Sequence, residues 1–140
     1  MALSLAEEAA RDGEIPVGCV ILSPSGEVLG RGRNRRESGH DATAHAEIEA
    51  IRAACARRGS WRLDDCTLVV TLEPCPMCAG AILNARIGEV VYGAREEKTG
   101  SLGSVVDLFS ENYGFHPRVY GGVLQESCAA LLRSFFEEKR

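Results

Sequence analysis

The sequence predicts an α/β fold: three layers, with a five-stranded mixed sheet covered by helices on both faces. Three observations carry this expectation. Short apolar runs of strand length alternate with stretches of helix length. The first two runs flank the turn Pro24-Ser25-Gly26, which makes them an antiparallel hairpin. The strand–helix–strand alternation that follows implies parallel pairing with crossover helices. At 140 residues the chain is sized for one domain, expected over 1–140.

Residues 1–11 read as a short amphipathic helix, with Leu5 and Ala9 set among Glu and Arg. Residues 15–23 are an apolar run containing Val and Ile, hence a buried strand, and 27–32 return as the second strand. Residues 34–43 are polar loop. Residues 44–58 are helical: Ile48, Ile51 and Cys55 fall at i, i+3 and i+7, Thr43 or Asp41 can cap the start, and Gly59 ends it. Residues 66–72 form a fully buried strand that Pro74 and Pro76 break. Pro76 suits the first position of a helix running to about residue 85. Residues 89–93 are a strand. Residues 94–118 are long for a plain loop, so they are functional or hold a short helix near 105–109. Residues 119–124 are the last strand. Residues 125–140 are the last helix, with Cys128, Leu131, Leu132, Phe135 and Phe136 on one face.

Apolar residues make up 45% of the chain and charged residues 26%, which excludes a disordered chain or a collagen-like fibre. No apolar run reaches the ~20 residues of a membrane helix. Residues 1–11 carry Glu7 and Glu8 and lack the pattern of a secretory signal. Six Cys in 140 residues are sparse for a disulfide scaffold, so a cytoplasmic protein with reduced thiols is expected. Net charge is −4, yet all cations except Lys98 and Lys139 are Arg. Arg31, Arg33, Arg35 and Arg36 fall within six residues. Taken alone they read as a solvated loop, but such a cluster can hold a polyanion even on an acidic protein.

Two segments sit where strands meet helix starts. One is His45-Ala46-Glu47; the other is Pro74-Cys75-Pro76-Met77-Cys78. Cys75 and Cys78 fall on one turn, and a helix N-terminus favours their thiolates. Alone the pair could be a redox C-x-x-C. With His45 it makes three zinc ligands, and a three-ligand site leaves a position for water. Zinc lowers the pKa of bound water from ~15.7 towards ~7, and an unligated Glu47 can carry the proton. Residues two apart on an ideal helix point to opposite sides, so His45 and Glu47 share a pocket only if His45 lies at the very start. H-x-E, followed 27 residues after Glu47 by P-C-x-x-C, is the known signature of zinc nucleobase deaminases, tRNA adenosine deaminase among them.

The likeness extends further. GEIPVGCVI, TAHAEIEAIRAA, TLEPCPMCAGAILNARIGEVVYGAR, KTGSLGS and ESCAALLRSFF together resemble the bacterial tRNA-specific adenosine deaminases, a branch of the cytidine/deoxycytidylate deaminase superfamily. The resemblance covers nearly the whole chain. It implies a cytidine deaminase-like fold, a homodimer, one Zn2+ per subunit, and a tRNA anticodon stem-loop as partner. It implies hydrolysis of wobble adenosine to inosine with loss of ammonia. By position it makes His45, Cys75 and Cys78 the zinc ligands and Glu47 the proton shuttle. Asn34 then hydrogen-bonds the flipped adenine, Val17, Leu72 and Pro74 line the base pocket, and the Ala46 N–H helps hold the attacked base. Glu96, Lys98, Phe136 and Arg140 match RNA-contacting positions. Three departures stand out: Glu96 replaces the usual Asp, Arg36 replaces a frequent Pro, and the first helix is shorter than usual.

Two other functions share these residues. A deaminase of free guanine, cytosine or deoxycytidylate would use the same ligands, although it has no need of Asn34 with the GAR-x-x-KTG stretch and the Arg-rich loop. A zinc-holding RNA-binding subunit without activity would need the metal but not Glu47.

Overall fold

The structure is a computed structural model that describes residues 1–138. It contains the helices α1 (Ala2–Arg11), α2 (Ala46–Arg58), α3 (Pro76–Ala85) and α4 (Gln125–Glu138). The strands are β1 (Gly18–Leu22), β2 (Val28–Arg33), β3 (Thr67–Leu72), β4 (Glu89–Ala94) and β5 (Arg118–Tyr120). The sheet order is β2-β1-β3-β4-β5. β1 runs antiparallel to both β2 and β3, while β3, β4 and β5 are mutually parallel. This is the mixed five-stranded sheet expected, and no helix among the described residues is long and apolar enough to cross a membrane.

Alternation along the strands assigns the layers. Cys19 pairs with Gly32 and with Val70, so these three share a face. That face meets α2, because a Cβ at Gly32 would lie 2.7 Å from Ala50 N. Gly18 and Gly93 point the other way: a Cβ at Gly18 would lie 2.7 Å from Ala6 N of α1, and one at Gly93 would strike Cys128 of α4. α1 and α4 therefore cover one face and α2, with α3 beside it, the other. The main core lies under α2 and α3, built from Ile21, Leu68, Val70, Val90, Ile82 and Ile87. Each such side chain contributes about 1.5–3 kcal/mol on burial.

Several elements depart from expectation for physical reasons. α2 does not bury Ile48, Ile51 and Cys55, which are only half-buried; it buries Ala46, Ala50 and Ala54. Those alanines lie directly on Gly30 and Gly32 of β2, so the interface is small-on-small and brings two backbones together. Neither Thr43 nor Asp41 caps α2. His45 holds the N-cap position, and the Asp41 carboxylate instead accepts from Thr43 N and Oγ1. The final strand is only Arg118–Tyr120, because Gly121 and Gly122 interrupt it and Leu124 turns the chain with φ +53°. Val123 and Leu124 are exposed. The short helix expected near 105–109 is a single 3-10 turn, Leu108–Ser110, whose start is capped by Asp107 accepting from Phe109 N. On α4, Cys128 and Phe135 are buried while Phe136 is 49% exposed, so the last helix hides a narrower face than its sequence suggested. Cys55 is half-buried rather than a core residue.

Candidate metal and nucleobase site

Two helix starts converge beyond the carboxyl end of β3. α2 begins at Ala46 with His45 as its N-cap, in extended backbone (φ −80°, ψ 155°). α3 begins at Pro76 with Cys75 as its N-cap, also extended (φ −77°, ψ 176°). Neither N-cap side chain makes a capping hydrogen bond, although the Cys75 sulfur accepts from Cys78 one turn on. Both are thus free to face a ligand in the positive field of the helix ends. Because His45 lies outside the helix proper, it and Glu47 escape the opposition that helical spacing would impose.

The His45 Nδ1 atom lies 3.6 Å from Cys75 Sγ and 3.6 Å from Cys78 Sγ. All three donor atoms fall within 4.8 Å of one another, and among the described residues no other group of three His, Cys, Asp or Glu does so. Tetrahedral zinc, with bonds of about 2.3 Å to sulfur and 2.0–2.1 Å to nitrogen, spaces those two atom types about 3.6 Å apart. The donor set therefore fits zinc in both chemistry and spacing. Without metal, the Cys75 thiol drops to about 4, chiefly because the Cys78 S–H donates to its sulfur, with His45 adding to the effect. The same bond pushes the Cys78 thiol up. Cys75 in turn holds the His45 imidazole above its usual value.

Glu47 is not one of the three donors. It is 4% exposed, and burial pushes its carboxyl up to about 7. Cys19 is also buried close by; burial first, and then the Glu47 charge, keep it a thiol.

His45, Glu47 and Cys75 open into a cavity of about 200 Å³, room for one flat ring system rather than a drug-sized ligand. Its walls include four residues singled out in the sequence as base-pocket positions, Val17, Asn34, Ala46 and Leu72, and Glu96 also lines it. Asn34 is buried, and its Oδ1 accepts Arg36 N at 3.2 Å, which fixes the amide plane. Pro74 is buried but does not line the cavity; its carbonyl accepts the Ser101 amide at 2.9 Å. Lys98 is exposed outside the lining. Phe136 borders a neighbouring crevice with Asn34, Arg36 and Glu37. Arg140 lies outside the described residues.

Ile15, Glu73 and Thr99 also line the cavity and had no role from the sequence alone, while Arg36, singled out there as one of the Arg cluster, lines it too. The signal for Glu73 was its place just before the Pro-Cys pair. Two buried carboxylates fasten the segments around the cavity, Glu73 in its lining and Glu14 in the neighbouring crevice. Glu14 accepts from Glu37 N at 3.0 Å and Ser38 N at 2.6 Å, fastening the Arg-rich loop. Burial pushes its carboxyl up, but the Ser38 and Glu37 donors and Arg36 outweigh that and leave it below the ordinary value. Glu73 does the same for the segment after β4, and its net shift is also downward. Of the Arg cluster, Arg31, Arg35 and Arg36 are exposed, whereas Arg33 pairs with Asp12 at 2.6 Å.

Comparison with known proteins agrees with this geometry. Residues 1–94 match the family described as the cytidine and deoxycytidylate deaminase zinc-binding region. A tRNA(Ile)-lysidine synthase of Deinococcus radiodurans is 54% identical over 139 residues, taking in 99% of this chain but 24% of that protein. The chain thus spans about a quarter of the length of the Deinococcus relatives it matches. A tRNA-specific adenosine deaminase of Bacillus subtilis is 43% identical over 140 residues, covering 99% of this chain and 86% of that protein. A solved structure, from work on tRNA:A34 deaminases that edit A to I at the wobble position, superposes with a TM-score of 0.89. It is 44% identical and covers 94% of this chain and 95% of its own.

Proposed function

Because the chain belongs to the cytidine and deoxycytidylate deaminase family, we propose that it hydrolyses adenosine to inosine at the wobble position of a tRNA anticodon. The observation that carries the proposal is Glu47: a buried carboxyl, outside the metal-donor set, opening into the same cavity as His45 and Cys75. An inactive metal-holding subunit has no use for it.

His45, Cys75 and Cys78 hold one zinc ion, whose Lewis acidity makes water a nucleophile near neutral pH. In the reaction a C–O bond forms at the amino-bearing carbon of adenine, the C–N bond to the amine breaks, and ammonia leaves. Glu47 takes the proton of the attacking water and passes it to the departing amine. Its site suits both tasks, since burial brings its carboxyl close to working pH.

Asn34 reads the base edge, because an amide offers both donor and acceptor to a purine. Val17 and Leu72 supply apolar walls for the ring, and the Ala46 N–H at the start of α2 helps hold it. The base reaches the cavity only when turned out of its stack, at a cost of a few kcal/mol, and an anticodon loop presents such bases readily. Arg36, which lines the cavity, together with the exposed Arg35 and Lys98 and with Glu96 and Phe136, forms the surface towards the RNA, where phosphate contacts position and the pocket specifies.

Two finer points belong with this proposal. A homodimer suits α3, which carries no charged residue from Pro76 to Ala85 although Pro76 and Asn84 are exposed. A cytoplasmic location suits a tRNA substrate and free thiols.

The rival reading, a free-base deaminase, shares the donor set but leaves Arg36 at the cavity and the rest of the Arg-rich segment unused. The test is inosine formation in an anticodon stem-loop beside deamination of free guanine and cytidine. Turnover of the stem-loop alone supports the proposal; turnover of only the small molecules overturns it.

A further inference from the structure

Between β4 and β5 the chain makes a long excursion whose first part, residues 96–104, forms one wall of the cavity through Glu96 and Thr99. Besides the Ser101 amide, which donates to the Pro74 carbonyl at 2.9 Å, one side chain anchors this segment. Glu73 Oε1 accepts from Glu96 N at 3.1 Å and from the Ser104 hydroxyl. Its Oε2 accepts from Leu102 N at 2.9 Å and Ser104 N at 3.1 Å. A carboxylate has about four lone-pair sites, so Glu73 is fully engaged. Among the described residues it forms no ion pair; its charge is met by the loop itself. The residue as a whole is 2% exposed. Gly100 passes directly over it, and a Cβ there would lie 2.5 Å from both Glu73 Cδ and Oε1. Glu73 also sits two residues before Cys75, so the same strand end carries a metal donor and the loop anchor.

We propose that Glu73 is a positioning residue: its buried carboxylate fixes the 96–104 segment as a wall of the substrate cavity and so sets how tightly the nucleic acid is held. This rests on the deaminase reading above. A merely space-filling Glu73 predicts something different, and substitutions separate the two. Glu73→Gln keeps the volume but replaces one acceptor oxygen by a donor nitrogen. The amide nitrogen is better placed at the Oε1 position, because there the Ser104 hydroxyl can turn and accept from it. The Glu96 amide then faces a donor and is released, and Glu96 is the part of the loop that lines the cavity. Glu73→Asp shortens the side chain but keeps all the acceptors. A clamp therefore ranks Asp above Gln, whereas space-filling ranks Gln above Asp.

The experiment measures zinc per chain, kcat and KM on an anticodon stem-loop, and amide hydrogen exchange, for wild type, Glu73→Gln, Glu73→Asp and Gly100→Ala. The clamp predicts one zinc per chain throughout. In Glu73→Gln it predicts a KM raised about tenfold or more with kcat much less changed, since a displaced wall weakens the hold on substrate and transition state alike. It also predicts faster exchange at the Glu96 amide with Leu102 still protected. Glu73→Asp falls between that variant and wild type. Gly100→Ala, which leaves Glu73 intact, shifts KM and Glu96 exchange in the same direction as Glu73→Gln. Wild-type KM and exchange in Glu73→Gln overturn the proposal. So does a uniform loss of zinc and kcat at unchanged KM, which marks a support for the metal helix alone. A wild-type chain that makes no inosine refutes the substrate assignment instead, and the Glu96 exchange rate still decides for or against the clamp.

Discussion

Replacing Gly32 by Ala tests how closely the active-site helix must lie on the sheet. A Cβ at this position would sit 2.7 Å from Ala50 N and 2.9 Å from Glu49 Cβ, and nearer still to the Ala46 carbonyl. Ordinary contact needs 3.4 Å or more, so α2 must retreat by at least about 0.7 Å near its first turn. That turn carries Glu47 and follows His45, while Cys75 and Cys78 stay on α3. The perturbation thus opens the His–Cys spacing from outside the site. Overpacking of this kind costs about 1–3 kcal/mol of stability. A shift approaching 1 Å in a catalytic group costs up to about a hundredfold in rate. Gly80→Ala is the control: nothing lies within 4 Å of its added methyl, it lies within α3, and Ala there gains roughly 0.5–1 kcal/mol. Thermal melts, a zinc-chelator competition and stem-loop kinetics on both variants read all three effects. Gly32→Ala with wild-type zinc affinity and rate would refute the reasoning, because the helix would then be shown to tolerate displacement without consequence.

Three more predictions follow from the site and its surroundings. Glu47→Gln keeps one zinc per chain and the fold but lowers kcat about 10²–10⁴-fold, the usual share of a general acid–base; an unchanged rate in single-turnover assays removes Glu47 from the mechanism. The double change Arg35→Ala and Arg36→Ala weakens stem-loop binding and flattens its salt dependence by about 0.7 per lost phosphate contact, whereas Arg33→Ala does less because Asp12 already engages that side chain; equal slopes in all variants return the cluster to a solvated loop. Glu14 is held below its ordinary 4.5 in the fold, so its stabilisation is complete above pH 4.5 and fades as pH falls through the lower folded value. The melting-temperature gap between wild type and Glu14→Gln should be widest near neutrality and close in acid, and a gap independent of pH contradicts this.

The sequence carried the metal donors and the strand and helix order because those depend on local spacing and apolar runs. It misassigned the buried face of α2 because Ile48 and Ile51 look like core residues, while Ala50 and Ala54 reveal their contact only beside Gly30 and Gly32 of another element. The anchors Glu14 and Glu73 were illegible for a related reason. Their partners are backbone amides 23 to 31 residues away, and an amide leaves no mark on the residue type that bears it. The short β5 was overextended because Val123 and Leu124 are apolar yet exposed, beyond a glycine pair that ends the ladder.

The central claim is a zinc ion held by three side chains with a fourth position left for solvent. X-ray absorption at the zinc edge on the purified protein tests it directly. The account predicts one zinc per chain bound by two sulfurs and two lighter atoms, at about 2.3 Å and 2.0–2.1 Å. A third sulfur, as from the neighbouring Cys19, would mean a closed structural site; either that result or a chain that binds no zinc contradicts the account.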